Sequence, residues 1–280
     1  MIIAQITDFH IGLPGSILYD QTKTHERLAA AVAHLNNLSP APDMIVATGD
    51  LVDVGARGEY ELLRETLAPL DAPIYLMPGN HDDRDMLREI FPDHDYLGDA
   101  GFVQYEIAVS DLRILTLDTH RKGWPSGELC ADRLSWLETK LNEDLDRSTL
   151  IAMHHPPFRT GLRAMDQMGL DGAGDLQRLL KNYDNIEAVI CGHIHRQVVH
   201  QFANTFAMTA PSTSHQIAFD LEDNLDLALA MEPPAVMVHA WQGNGDKLVS
   251  HVSFVGDAFE FIPITLGDYT KSKMRERDFT

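Results

Sequence analysis

Residues Ile2 to His10 read IIAQITDFH, a largely apolar run followed at once by an aspartate and a histidine. The run predicts a buried strand over Ile2–Thr7. Four later stretches repeat the arrangement, because each predicted strand leads into polar residues that are common metal ligands. The strands are Met44–Thr48, Ile74–Met77, Thr149–Met153 and Ala188–Cys191, and their endings are Gly49-Asp50, Gly79-Asn80-His81-Asp82, His154-His155 and Gly192-His193-Ile194-His195. Ligands of open α/β sheets bind beyond the carboxyl ends of strands, so these endings are candidates for one shared site.

Amphipathic segments alternate with these strands and predict helices. The predicted helices are Thr22–Leu38, Gly58–Leu67, Asp82–Phe91, Ala131–Leu145 and Leu176–Asn182. Further strands are predicted at Phe102–Ala108, Leu112–Leu117, Val198–Phe202, Thr205–Thr209, Val236–Trp241 and Leu248–Phe254. This alternation predicts a layered α/β fold. Residues 158–174 and 212–234 lack clear periodicity, which is typical of functional loops or disorder.

Each strand ending also has an ordinary structural interpretation. A single D-x-H is common at surfaces, Gly49-Asp50 suits a turn, and the 79–82 stretch suits a turn that caps the next helix. The histidine pairs fit strands with satisfied imidazoles. Their joint occurrence after five strands favours a metal site instead. In extended backbone, alternate residues share a face, so Asp8 with His10 and His193 with His195 would point into one cluster.

Composition limits the possible partners. The chain has 280 residues, 44% of them apolar, and a formal net charge of −20. Polymeric nucleic acid normally requires Lys and Arg to displace counterions, so an acidic surface of this size repels it and no nucleic-acid partner is expected. A small anion can still bind where metal ions reverse the local charge. Cys130 and Cys191 are predicted to be reduced thiols. Without a signal-like segment or a long apolar run, the sequence predicts a cytoplasmic protein with no membrane partner.

The ordered motifs D-x-H, G-D, G-N-H-D, H-H and G-H-x-H resemble those of the calcineurin-like metallophosphoesterase superfamily, over about Ile2 to His195. Within that superfamily the chain resembles the bacterial cyclic-nucleotide and glycerophosphodiester phosphodiesterase branch. The stretches Tyr75–Asp83, Met153–Pro157 and Ser214–Gln216 are especially similar to the glycerophosphodiesterases. The resemblance implies a four-layer α-β-β-α sandwich. It also implies one domain over residues 1–280, with a small cap or oligomerisation region at the rim segments near 158–174 and 212–234, and a homo-oligomer.

The same resemblance implies a site with two divalent metal ions. Asp8, His10, Asp50 and His195 would hold the first ion, and Asp50, Asn80, His154 and His193 the second, with Asp50 bridging. His155 is expected to support these ligands without binding metal. His81 and Asp50 are the expected catalytic residues, and Asn80, His81 and His215 the expected substrate contacts. The alternatives are that His81 only caps a helix and that His215 is a surface histidine.

The implied reaction is hydrolysis of a small phosphodiester, a glycerophosphodiester or a 3′,5′-cyclic nucleotide, by a hydroxide held between the ions. Two divalent ions, two aspartates and one hydroxide sum to about +1, which suits a monoanionic diester. A phosphomonoesterase, a nuclease and a non-catalytic metal-binding scaffold are the alternatives. Mixed nitrogen and oxygen ligation suits Fe, Mn, Zn, Co or Ni. Trp124 and Trp136 are expected to be structural core residues.

Overall fold

Short runs of aliphatic residues form the strands of two sheets. The computed structural model of the chain describes residues 1–222, 225–243 and 247–256. In chain order the strands are β1 Ile2–Ile6, β2 Met44–Ala47, β3 Ile74–Leu76, β4 Glu106–Val109, β5 Leu112–Leu117, β6 Gly127–Glu128, β7 Ser148–Met153, β8 Leu170–Asp171, β9 Ile186–Cys191, β10 Val198–Phe202, β11 Thr205–Thr209, β12 Gln216–Ile217, β13 Leu229–Ala230, β14 Ala235–Trp241 and β15 Leu248–Phe254.

Each large sheet has a parallel centre with antiparallel edges. The first has the order β15-β14-β1-β2-β3, in which β1, β2 and β3 are parallel. The second has the order β10-β11-β9-β7-β5-β4, in which β5, β7, β9 and β11 are parallel. Because parallel strands end at the same edge of a sheet, the motifs that follow β1, β2 and β3 meet at one edge, as do those that follow β7 and β9.

The helices cover the outer faces of the sheets. They are α1 Ile17–Thr22, α2 Thr24–Asn36, α3 Arg57–Leu67, α4 Arg84–Ile90, α5 Ala131–Glu143, α6 Arg163–Asp166 and α7 Ala173–Leu180, with a 3₁₀ turn at Asp95–Leu97. One buried cluster joins α2, α3 and α4 to the first sheet and to the inner face of the second. A second cluster joins α5 and α7 to the outer face of the second sheet.

Successive side chains of the central strands in the second sheet point alternately into these two buried clusters. Leu150 and Ala152 of β7 belong to the cluster between the sheets, whereas Ile151 and Met153 belong to the cluster under α5 and α7. Successive side chains of a strand point to opposite faces, so a strand buried on both sides reads as a continuous apolar run. The architecture is the expected four-layer α-β-β-α sandwich.

Two predicted elements differ from the structure. The helix predicted at Thr22–Leu38 is α2, which begins only at Thr24. Lys23, with a left-handed φ of 54°, separates it from α1, which was not predicted. The strand predicted from Phe102 begins only at Glu106. Before it, the Val103 and Tyr105 amides donate to the side chains of Asp118 and Thr116, rather than to strand carbonyls.

The two rim segments contain short ordered elements. Residues 158–174 include α6, β8 and the start of α7, and β8 pairs with β6. Residues 212–234 include the antiparallel pair β12 and β13. Their role as a cap or oligomer contact remains a prediction, as does the single-domain boundary at residue 280, because residues 257–280 lie outside the described ranges.

No helix in the described part of the chain has both the length and the apolar character needed to span a bilayer. Cys130 and Cys191 are both free thiols.

Candidate metal centre

Hydrogen bonds that continue past the strand ends align the motifs within each sheet. The amides of Asp8 and His10 donate to the backbone oxygens of Gly49 and Asp50, both at 3.0 Å. In the second sheet, the Gly192 amide donates to the backbone oxygen of His154, also at 3.0 Å. The parallel pairing therefore fixes which residues lie side by side at each edge.

Two further contacts join the edges of the two sheets. His154 Nδ1 donates to the backbone oxygen of Thr48 at 2.8 Å. The His193 amide donates to the carboxylate of Asp8, at 3.2 Å from Oδ1 and 3.1 Å from Oδ2. The motifs after β1, β2, β7 and β9 therefore converge at one end of the sandwich.

Asp50 lies at the centre of the converging side chains. Its Oδ2 is 3.3 Å from His154 Nε2, 3.6 Å from His10 Nε2 and 4.0 Å from His81 Nε2. Its Oδ1 accepts the backbone N–H of His81 at 2.9 Å, which fixes the carboxylate. One oxygen of Asp50 is thus held by protein, while the other faces three imidazoles.

Asp8, His10 and His195 form one half of the cluster. His195 Nε2 is 3.1 Å from His10 Nε2 and 3.4 Å from Asp8 Oδ1. His195 Nδ1 lies 2.9 Å from the backbone oxygen of His215, and a carbonyl can only accept, so this nitrogen carries the proton. In the neutral ring, Nε2 of His195 therefore presents a lone pair to its neighbours.

Asn80, His154 and His193 form the other half. Asn80 Oδ1 is 3.2 Å from His154 Nε2. His154 Nδ1 is occupied by the Thr48 carbonyl, and His193 Nε2 donates to the backbone oxygen of Met168 at 3.0 Å. Each histidine thus has one nitrogen anchored to backbone and one free to accept a cation, an arrangement typical of metal-binding histidines.

His155 has neither nitrogen free. Its Nε2 donates to the backbone oxygen of Pro125 at 3.1 Å, so its Nδ1 accepts from Thr119 Oγ1 at 2.8 Å. Its ring centroid is 4.5 Å from that of His193 and 4.8 Å from that of His154. Although its nitrogens are close enough to share an ion with these two histidines, its hydrogen bonds give it a supporting position.

The backbone of the motifs differs from the sequence-based expectation. Nine described non-glycine residues have positive φ, and five of them are predicted ligands, namely Asp8, His10, Asp50, His193 and His195, with φ between 47° and 71°. The expectation of extended backbone was therefore wrong for the D-x-H and H-x-H pairs. Left-handed residues are strained by about 1–3 kcal/mol each and cluster at functional sites, where surrounding contacts hold them.

Two glycines permit the close approach of the loops. A β-carbon at Gly79 would lie 2.2 Å from Asp50 Oδ1, and one at Gly192 would lie 2.2 Å from Thr7 Oγ1 and 2.9 Å from the Thr48 backbone oxygen. All three distances are shorter than a van der Waals contact. The glycines in G-N-H-D and G-H-x-H are therefore required for packing around Asp50 and between the sheets.

The electrostatics of the cluster favour a bound cation. Burial opposes ionisation of Asp50, but His154 and His81 together lower the pKa of its carboxyl well below the usual value. Burial also lowers the pKa of His154, yet the Asp50 carboxylate outweighs it and raises that pKa to about 9. In the metal-free protein, a proton on His154 neutralises Asp50.

Two other histidines of the cluster, His193 and His10, are neutral. Burial, followed by repulsion from His154, lowers the pKa of His193 to about 3. Burial, followed by repulsion from His81, lowers the pKa of His10 well below its ordinary value. Neutral imidazole is the form that binds metal, so neither residue has to lose a proton first.

The structure also brings His81 and His215 to the cluster. The His81 side chain is 37% exposed, its ring centroid is 4.6 Å from that of His10, and its Nδ1 donates to the Asp53 backbone oxygen at 2.6 Å. The His215 ring is buried, 4.8 Å from His195 and 5.4 Å from His10. His215 is thus not a surface histidine, and Asp83 rather than His81 caps α4.

Sequence reasoning missed the loop Asp118–Glu128, which follows β5. Asp118-Thr119-His120 is itself a D-x-H after a strand, and this signal was available. Asp118, however, accepts from Arg84 at 2.5 and 2.7 Å, so its charge is already neutralised.

The loop also carries Trp124, which is 55% exposed. The expectation of a core role for Trp124 was therefore wrong, because the residue lies in a surface turn; Trp136 packs partly buried against the second cluster.

Sequence comparison places these motifs in a known family. The family description "Calcineurin-like phosphoesterase" matches residues 1–197. The chain is 37% identical over 257 residues to a probable glycerophosphodiester phosphodiesterase, GpdQ, of Arcobacter nitrofigilis, covering 91% of this chain and 94% of that protein. It is 32% identical over 216 residues to the 3′,5′-cyclic adenosine monophosphate phosphodiesterase CpdA of Escherichia coli, covering 76% of each.

Solved structures share the fold. A dimetal phosphatase from Danio rerio superposes with a TM-score of 0.61 at 14% identity, covering 91% of this chain and 99% of that one. These comparisons confirm the predicted superfamily, its sandwich fold and the assignment to metal-dependent phosphodiesterases. The chain belongs to the calcineurin-like phosphoesterase family.

Proposed function

We propose that the protein hydrolyses small phosphate diesters, either glycerophosphodiesters or 3′,5′-cyclic nucleotides, with two divalent metal ions. The observation that carries this proposal is the convergence of five strand endings on Asp50, whose Oδ2 has three imidazole nitrogens within 4.0 Å. The phosphodiesterase names of the relatives supply the substrate classes.

The donor atoms fit two divalent cations. Asn80 Oδ1 and Asp50 Oδ2 lie 3.2 and 3.3 Å from His154 Nε2, and all three atoms are acceptors once His154 is neutral. Buried acceptors repel one another unless a cation lies between them. Asp8, His10, Asp50 and His195 would hold the first ion, and Asp50, Asn80, His154 and His193 the second. The mixed oxygen and nitrogen donors suit Fe, Mn, Zn, Co or Ni.

Bound ions of this kind lower the pKa of water and offset the charge of the phosphate. Asp50 would hold the two halves of the site at a fixed separation, because its Oδ1 is restrained by the His81 amide. Asn80 would present its amide to the phosphate while its Oδ1 faces the second ion. Ligand orientation is thus set by hydrogen bonds that exist before substrate binds.

His81 is the proposed proton donor to the leaving oxygen. Its Nδ1–H is engaged by the Asp53 carbonyl, so Nε2 is the nitrogen that faces the cleft. Burial lowers its pKa, but Asp50 and the Asp53 hydrogen bond outweigh burial and raise it. A protonated Nε2 can therefore donate to a developing alkoxide. His215, buried beside His10 and His195, is proposed to contact the phosphate or the leaving group.

A homo-oligomer is proposed through residues 212–234. This segment exposes large apolar side chains, namely Phe219, Leu221, Leu225, Leu227, Leu229 and Met231, each between 45% and 67% exposed. Patches of this kind mark interaction sites in soluble proteins. Light scattering of L227D should show a smaller species than the wild-type protein, whereas V54D, which changes an exposed apolar residue outside this segment, should not. A monomeric wild type would contradict the proposal.

The reducing location predicted from the sequence is also retained as a proposal. Both cysteines are free, and burial raises the pKa of Cys191, which makes its thiol unreactive. Cell fractionation with a tagged chain would test a cytoplasmic location, and recovery in a membrane or secreted fraction would contradict it.

The reaction is tested with a substrate panel on Mn-loaded protein: bis(p-nitrophenyl) phosphate, p-nitrophenyl phosphate, glycerophosphocholine and cyclic AMP. Hydrolysis of the diesters is expected to exceed that of the monoester. Faster turnover of p-nitrophenyl phosphate would overturn the diester assignment in favour of a phosphomonoesterase. Similar rates on all diesters would support a permissive pocket.

A further inference from the structure

The loop Asp118–Glu128 is fixed against the metal centre on two sides. Thr119 Oγ1 and the Pro125 backbone oxygen both hydrogen-bond His155, whose ring lies 4.5 Å from that of His193. On the other side, Lys122 Nζ lies 3.4 Å from the carboxylate of Asp83, which follows the G-N-H-D motif. The position of the loop is therefore set by the residues that also order the site.

A cavity of about 430 Å³ lies between this loop and the rim segment 158–174. His193 lines it from the metal centre, Ser126 lines it from the loop, and Asp171 lines it from the rim segment. Phe158 and Leu170 contribute apolar surface. A substituent of a phosphodiester bound at the metal centre thus has space to extend from His193 toward Asp171.

Trp124 precedes Ser126, a lining residue of this cavity, by two positions in the chain. The guanidinium carbon of Arg121 lies 4.5 Å from the Trp124 ring centroid, which is a cation–π contact. Arg121 Nη1 also lies 3.2 Å from Asp171 Oδ2, and Asp171 lines the cavity. The indole is therefore held by a chain of contacts that ends at the cavity wall, yet Trp124 remains 55% exposed.

We propose that Trp124 is a stacking platform for an aromatic substituent, a nucleobase, on the diester that the metal centre cleaves. This proposal rests on the proposed function and names the substrate class that the site prefers. A nucleobase has a flat apolar face that stacks on an indole, whereas glycerol has none. Choline could also approach an aromatic face, but the Arg121 guanidinium already lies over this ring, in the position that such a cation would take.

The experiment compares W124A, W124F and F206A with the wild type, all loaded with Mn. Phe206 is the matched control, because it is also 55% exposed but lies on β11 near the β10–β11 turn, at the opposite end of the sheet from the site. The substrates are cyclic AMP, glycerophosphoglycerol, which has no ring, and glycerophosphocholine. KM and kcat are measured separately for each.

W124A is expected to raise KM for cyclic AMP by roughly 5- to 100-fold, the range of stacking losses on alanine substitution. Glycerophosphoglycerol kinetics should be unchanged, W124F should restore most of the affinity, and F206A should match the wild type. An equal change in KM for cyclic AMP and for glycerophosphoglycerol, or no change for cyclic AMP, would contradict the proposed stacking role of Trp124. A larger change on glycerophosphocholine would show cation recognition instead. A wild type that is inactive on every diester would remove the proposed function, and the platform with it.

Discussion

Replacing His239 with glutamine should remove about 2 kcal/mol of the acid sensitivity of the fold. His239 is fully buried on β14, away from the metal centre. Its Nε2 donates to Gln5 Oε1 at 3.1 Å, and its Nδ1 lies 2.7 Å from Ser250 Oγ. The Gln5 amide in turn donates to Thr48 Oγ1 and to the Cys191 backbone oxygen, which joins the two sheets. Within the described ranges, no carboxylate offsets a charge on this imidazole.

The magnitude follows from the pKa of this histidine. Burial lowers the pKa of His239 from 6.5 to about 4. The folded state binds this proton less readily than the unfolded state does. The contribution of His239 to the free energy of unfolding is therefore fully present above pH 6.5 and is lost as the pH falls toward 4. Linkage gives a loss of about 2 kcal/mol between about pH 7 and pH 5 from this one group.

The assay is urea unfolding of wild type, H239Q and H251Q across this pH range, with a chelator present so that metal binding does not contribute. His251 is an exposed histidine on β15 and serves as the control. H239Q should lose about 2 kcal/mol less than wild type between pH 7 and pH 5, and H251Q should follow the wild type. An identical pH dependence for wild type and H239Q would refute the reasoning.

Three further predictions concern the metal centre. H81A should lower kcat by roughly 10²–10⁴ with unchanged metal content, because a proton donor is lost; loss of metal instead would show that its role is misassigned. Because Asn80 is neutral, the second ion has only the Asp50 carboxylate among its proposed ligands and should bind more weakly than the first. Calorimetric titration of metal-free wild type should therefore show two sites of unequal affinity, and N80D should tighten the weaker one. Two equally tight wild-type sites would reject this. H155F, which cannot form hydrogen bonds to Thr119 or Pro125, should lower the affinity for the second ion by about 10- to 100-fold. An unchanged affinity in the same titration would contradict the supporting role of His155.

The sandwich was predictable because its strands are buried on both faces and therefore read as short apolar runs. Ser148–Met153 and Ile186–Cys191 are examples, and their bounds differ from the predictions by two residues at most. Helix α1 was not predicted because its six residues are too few to show a helical period. The late start of β4 depends on Thr116 and Asp118, whose side chains come from a neighbouring strand and loop.

The residues of the candidate site could also be predicted from the sequence, but their geometry could not. Asp8-Phe9-His10 and Asp118-Thr119-His120 have the same spacing and both follow strands. Only the three-dimensional structure shows that Asp8 faces His195, whereas Asp118 is neutralised by Arg84, 34 residues away. The left-handed backbone of the ligands could not be predicted for the same reason, because the contacts that stabilise it come from other loops.

The central claim is that these strand endings hold a pair of metal ions around Asp50. Anomalous diffraction from crystals of the Mn-loaded protein tests it most directly. Two peaks are predicted, about 3.5–4 Å apart, with Asp50 between them, one beside Asp8 and His195 and the other beside Asn80 and His193. A single peak, or peaks distant from Asp50, would contradict the account.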